Sequence, residues 1–170
     1  MIKKTKNVII LTIALILIIG VMAFVSKDED PSTLSSAKYS SSTLTSSESD
    51  FDFKTISMKD GEVSHMFEFK NNGTEPVKIE KVYTSCLCTT AYITDSSGKK
   101  YGKFGMQGHG LPAKTNIEVA PGETALVEAI FDPNAHGPSG VGLAQRTLYF
   151  ETNSAKSPRL ELSFQAIVTR

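Results

Sequence analysis

Two cysteines, three histidines and a methionine carry most of the reactive chemistry available to this chain. Cys86 and Cys88 stand one residue apart in Thr84-Ser85-Cys86-Leu87-Cys88-Thr89-Thr90. On an extended strand both thiols face one side, with Cα atoms about 6.6 Å apart at roughly 3.3 Å per residue. A disulfide spans roughly 4.4–6.8 Å between Cα atoms, so that separation sits near its upper limit. A metal with sulfur bonds of about 2.3 Å bridges sulfurs no more than about 4.6 Å apart. Either outcome therefore requires a bulge or a turn at Leu87. Three fates stand side by side: soft-metal ligands, a redox-active or structural disulfide whose tight ring is strained and reducible, and small inert core thiols.

His109 lies in Gly105-Met106-Gln107-Gly108-His109-Gly110 and His136 in Asp132-Pro133-Asn134-Ala135-His136-Gly137, both in Gly-bearing loops. Thiolate, imidazole and the Met106 thioether form a donor set that selects copper(I), or zinc if the thioether is left out. Cys86, Cys88, His109, His136 and Met106 are the candidate metal ligands. The plainer reading leaves His109 and His136 as solvated turn residues and Met106 as packing. His65 falls on the inward face of a strand, where a backbone-bonded core or rim histidine is the expectation. Enzyme constellations are missing, and the chain reads as non-enzymatic. Gly137-Pro138-Ser139-Gly140-Val141 fails the last position of a nucleophile elbow, and no His-Glu-x-x-His, P-loop or dinucleotide fingerprint occurs. Thiol oxidoreductase chemistry is disfavoured, because a Cys-x-Cys pair with no flanking helix lacks the dipole that lowers a thiol pKa.

The elements that must position these residues begin with an anchor. Residues 8–25 run without a charge, and as a helix they would extend roughly 27 Å, close to the ~30 Å hydrocarbon core. Lys3, Lys4 and Lys6 precede the run, and Lys27-Asp28-Glu29-Asp30 follows it. This lysine bias places the N-terminus in the cytoplasm and the remainder outside. Residues 1–25 thus read as a single-pass signal-anchor, with a cleaved signal peptide as the alternative. Residues 26–50 hold ten Ser and three Thr, too little apolar surface to offset ordering, and read as a disordered linker.

From residue 51 the pattern changes to short alternating runs. Val63, His65, Phe67 and Phe69 share one face of a strand, and Asn71-Asn72-Gly73 supplies a tight turn with positive φ. Further strands fall at residues 77–83, 89–94, 125–131, 146–152 and 160–168, with a short opening strand at Phe51 and Phe53. About seven strands in one unit, residues 51–170, predict an all-β, immunoglobulin-like β-sandwich. The 13 basic and 13 acidic side chains of this unit leave no net basic face for nucleic acid.

Phe51-Asp52-Phe53-Lys54-Thr55-Ile56, Phe67-Glu68-Phe69-Lys70-Asn71, Ser85-Cys86-Leu87-Cys88-Thr89-Thr90, Pro121-Gly122-Glu123 and Phe131-Asp132-Pro133 occur in that order. The series resembles the bacterial domain-of-unknown-function 1573 family, similar in fold to ASPM/SPD-2/Hydin immunoglobulin-like domains. That resemblance implies an exported sandwich and brings no activity with it. Leu87 stands where the family usually has Gly, and the Gly-rich residues 95–114 replace a commonly short connection. In outline the chain is also similar to copper chaperones of cytochrome oxidase assembly, a likeness at the level of fold alone.

Two functional readings follow. One is an extracytoplasmic binding module, anchored in the cell membrane by a single span, with a copper-type site at Cys86 and Cys88. The other is a structural or adhesive sandwich that presents an edge strand or loop to a protein partner, without metal. Both place the domain outside. A protease added to intact cells or spheroplasts is therefore expected to reach residues 26–170, cutting first in the serine-rich segment. Protection of the domain would contradict this topology.

Overall fold

The structure, a computed structural model, describes residues 39–170. The anchor expected at residues 1–25, and the linker as far as residue 38, lie outside the described residues. Among the described residues, ten strands form two five-stranded sheets: β1 (Leu44–Thr45), β2 (Asp50–Ser57), β3 (Val63–Asn71), β4 (Val77–Thr84), β5 (Thr89–Thr94), β6 (Lys100–Phe104), β7 (Lys114–Val119), β8 (Thr124–Phe131), β9 (Gly142–Thr152) and β10 (Arg159–Thr169). One sheet runs β1-β3-β8-β5-β6 and the other β2-β10-β9-β4-β7. No α-helix occurs among the described residues.

Alternation explains the two layers. Phe67 and Phe69 of β3, Val127, Ala129 and Phe131 of β8, Leu148 and Phe150 of β9, and Leu162, Phe164, Ala166 and Val168 of β10 are all buried between the sheets. The intervening residues of β3, Ser64, Met66, Glu68 and Lys70, are exposed. Side chains two apart on a strand share a face, so each buried row fixes the register of its strand.

The sequence pattern yields seven of the ten strands. β1, β6 and β7 are additional, and β6 occupies the Gly-rich insertion at residues 95–114. The linker expectation is corrected for residues 39–50. Leu44 is 2% exposed and Ser40 and Ser42 are buried, while β1 pairs antiparallel with β3. Ser42 Oγ accepts from Glu75 N at 2.9 Å, and Ser154 Oγ donates to Ser42 O at 2.6 Å. Serine composition suggested disorder, yet these hydroxyls pair with loop backbone and hold the segment down.

The tight turn expected at Asn71-Asn72-Gly73 is also corrected. β3 and β4 belong to different sheets, so this connection crosses the sandwich, and Gly73 is not among the positive-φ glycines. Asn71 is fully buried; its amide Nδ2 donates to Glu75 O (2.8 Å) and Val119 O (2.9 Å), and its Oδ1 accepts from Gly73 N (3.0 Å). The Pro121-Gly122 turn behaves as the sequence indicates, with Gly122 at φ 79° and Glu123 N donating to Ala120 O. His65 is half-buried, but its partner is the Glu48 carboxylate, with Nε2 2.7 Å from Oε2, rather than backbone, and its ring stacks on Phe51 at 3.5 Å between centroids.

Phe67, 1% exposed at the centre of β3, is expected to cost on the order of 3–5 kcal/mol when replaced by Ala. Lys70→Ala, on the outer face of the same strand, is expected within about 0.5 kcal/mol. Denaturant unfolding measures both, and equal effects would contradict the inward and outward rows assigned here.

Candidate functional site

The chain leaves one sheet at Thr84, the end of β4, and enters the other at Thr89, the start of β5. Cys86, Leu87 and Cys88 make that crossing. Thr89 N donates to Cys86 O at 3.1 Å and closes a turn. The Thr84 hydroxyl lies 2.9 Å from Cys86 O and 3.0 Å from Thr89 O, sharing its proton between both carbonyls. Ser85 N donates to Thr147 O, Thr147 N donates to Ser85 Oγ, and Asp132 N donates to Cys88 O, each at 2.9 Å. The crossing is thereby bound to β9 on one side and to the end of β8 on the other.

The turn shortens the Cα separation of Cys86 and Cys88 to 5.3 Å, and the two form a disulfide. Of the three fates open to the pair, the structure presents the disulfide. Cys88 is 3% exposed and Cys86 half-buried, while Leu87 projects outward. Cys88 N also points at Cys86 Sγ, 3.3 Å away.

His136 Nε2 lies 3.1 Å from Cys86 Sγ. A loop braced by hydrogen bonds places it there. Asn134 N donates to Asp132 Oδ1, Asn134 Nδ2 donates to Met58 O, Gly137 N donates to Asn134 O, and Ser139 Oγ donates to His136 O. Gly137, at φ 55°, begins the 3₁₀ turn Gly137–Gly140 that follows the histidine. Among the described residues, Cys86, Cys88 and His136 form the one group whose donor atoms all lie within 4.8 Å of one another.

His109 stands outside that group, exposed on its own loop with its N–H donating to Met106 O at 3.2 Å. Met106 is half-buried, and its backbone bridges Thr84, two residues from Cys86.

Sequence reasoning missed Arg146. Its Nε–H donates to Cys88 Sγ at 2.9 Å, and Nη1 donates to Gln145 O at 2.7 Å. The guanidinium carbon is 5.7 Å from the centre of the Phe131 ring. Burial pushes its pKa down from the usual arginine value, and no carboxylate among the described residues forms an ion pair with it. The signal was present in the pattern. Ala144, Leu148 and Phe150 are the buried row of β9, and period-two alternation puts Arg146 in that same row. A cation in an inward row asks for a partner, and here that partner is a sulfur atom.

Residues 44–105 match the family described as protein of unknown function (DUF1573). The match agrees with the resemblance read from the motifs and covers the cysteine turn. Among curated proteins, none matches the chain. Among solved structures, a protein of unknown function from Porphyromonas gingivalis is similar at 15% identity and a TM-score of 0.55, over 74% of this chain and 46% of its own. The chain thus spans less than half the length of that relative, and the likeness concerns fold alone. The secreted serine protease VesC from Vibrio cholerae aligns at 14% identity over 74% of this chain and 23% of its own, with a TM-score of 0.47. An ASH / PapD-like domain of human CEP192 aligns at 16% identity over 78% of this chain and 88% of its own, with a TM-score of 0.42.

Proposed function

We propose that this protein is a non-enzymatic extracytoplasmic binding module, anchored by its N-terminal apolar run, that takes a soft metal ion at Cys86, Cys88 and His136 when the cysteine pair is reduced. The observation that carries this reading is the convergence of two sulfurs and an imidazole nitrogen within 4.8 Å. Two thiolates and one imidazole suit copper(I), and zinc with a fourth donor. Met106 pairs with Thr84 through its backbone, two residues from Cys86.

The disulfide and the metal site use the same two sulfurs, so they are alternative states of one turn. Reduction must come first, because only thiolate sulfurs ligate the metal. The apolar run behind Lys3, Lys4 and Lys6 supports export, and a disulfide suits an oxidising compartment. If the pair never opens, the chain is a structural or adhesive sandwich with a covalent staple in its sheet crossing.

Copper(I) titration of the reduced full-length chain separates the two. Wild type is expected to bind one equivalent, and Cys86→Ser/Cys88→Ser to lose it. His136→Ala is expected to weaken binding on the order of tenfold or more, since outer-shell changes alone cost about 10–100-fold, while His109→Ala leaves it unchanged. Binding by wild type no tighter than by the double variant would leave the metal-free sandwich.

A further inference from the structure

The geometry points to a thiol–disulfide exchange site, in which an external small thiol attacks Cys86 and the Cys88 sulfur departs onto the Arg146 guanidinium. The two sulfurs are not equivalent. Cys86 is half-buried and borders the exposed His136, whereas Cys88 is 3% exposed beneath the crossing. An incoming thiolate therefore meets Cys86 Sγ first, and access is one of the factors that decide which sulfur is attacked.

Arg146 decides where the charge goes. In the oxidised state its Nε–H is spent on a neutral disulfide sulfur, and its charge has no carboxylate partner among the described residues. A partly buried cation of that kind gains most when its neighbour becomes an anion, because hydrogen bonds to ionised groups are roughly twice as strong as neutral ones. Cleavage of the Cys86–Cys88 bond supplies that anion 2.9 Å from Arg146 Nε. A flanking helix dipole commonly does this for reactive cysteine pairs; here a side chain from the adjacent sheet strand β9 takes its place.

A thiolate sulfur of the external thiol forms a bond to Cys86 Sγ as the Cys86–Cys88 bond breaks, and the bonding electron pair leaves with Cys88 Sγ. A second molecule of the thiol attacks the external sulfur of the mixed disulfide and releases Cys86. The external thiols are oxidised to their disulfide, and their two electrons and two protons end on Cys86 and Cys88. Nothing in this exchange needs a metal, so it stands or falls separately from the copper reading.

The test uses the oxidised full-length chain in detergent with reduced glutathione as the probe thiol. After acid quench and alkylation with N-ethylmaleimide, fragment mass spectrometry locates each group. Glutathione is expected on Cys86 and the maleimide on Cys88. Arg146→Met is expected to react about tenfold more slowly, the loss of a hydrogen bond to a charged group, with Arg146→Lys recovering part of the rate. Glutathione on Cys88, no adduct and no reduction in excess thiol, or Arg146→Met reacting at the wild-type rate would each overturn the proposal. If Arg146→Met fails to fold, the position of the adduct in wild type decides alone. Copper(I) binding by chemically reduced protein that yields no glutathione adduct would defeat the exchange site and leave the metal reading standing.

Discussion

Between Thr84 and Thr89 the backbone has to pass from one sheet to the other, and the way it does so governs everything chemical in this domain. Each sheet has its own hydrogen-bonding direction, so the crossing residues lose ladder partners on both sides and must find others. They find them in the Thr84 hydroxyl, in the Thr147 and Ser85 exchange, and in the Asp132 amide. With those bonds in place the turn at Leu87 is over-determined, and two thiols that a straight strand would hold apart are brought together. The same bonds draw the end of β8 and the strand β9 to the crossing. His136 and Arg146 arrive as a consequence of that packing.

The resulting site is electrostatically incomplete in its oxidised form. Arg146 occupies an inward row between apolar neighbours, is partly desolvated, and faces a disulfide that carries no charge. Burying a charge without a counterion costs stability, and proteins usually offset it with a carboxylate. The neighbouring acids are engaged elsewhere: Asp50 bonds Ser49 and Ser163, and Asp52 binds Lys54. A reduced pair presents, as the Cys88 thiolate, the anion that the guanidinium lacks. The proposed thiol exchange draws on this imbalance.

The layers of the sandwich were legible because burial alternates with period two in β3, β8, β9 and β10, and that alternation survives in the residue types. β1 and β6 were not, since Leu44–Thr45 is too short to show a period and Lys100–Phe104 has charge and glycine where an apolar residue would mark a strand. The buried serines at 40 and 42 resemble linker composition, and only their pairing to loop backbone, Ser40 with Asn153 and Ala155 and Ser42 with Glu75, reveals them as part of the fold. At the site, covalent geometry tied a disulfide or a shared metal to a bulge or turn at Leu87, and left inert thiols on a straight strand as the third outcome. The choice between His109 and His136 was not available from spacing, because it depends on which loop the crossing pulls toward itself. Arg146 was readable in principle, as the one charge in the inward phase of β9.

The contact between Arg146 and Cys88 sets the charge balance of the site, and the equilibrium between oxidised and reduced protein measures that contact directly. Wild type and Arg146→Met would be brought to equilibrium with a series of glutathione redox buffers and the reduced fraction read by alkylation. Wild type is expected to be reduced the more readily, with an equilibrium constant about tenfold in its favour, the scale of one hydrogen bond to a charged group. Equal equilibrium constants, with both proteins folded, would contradict it.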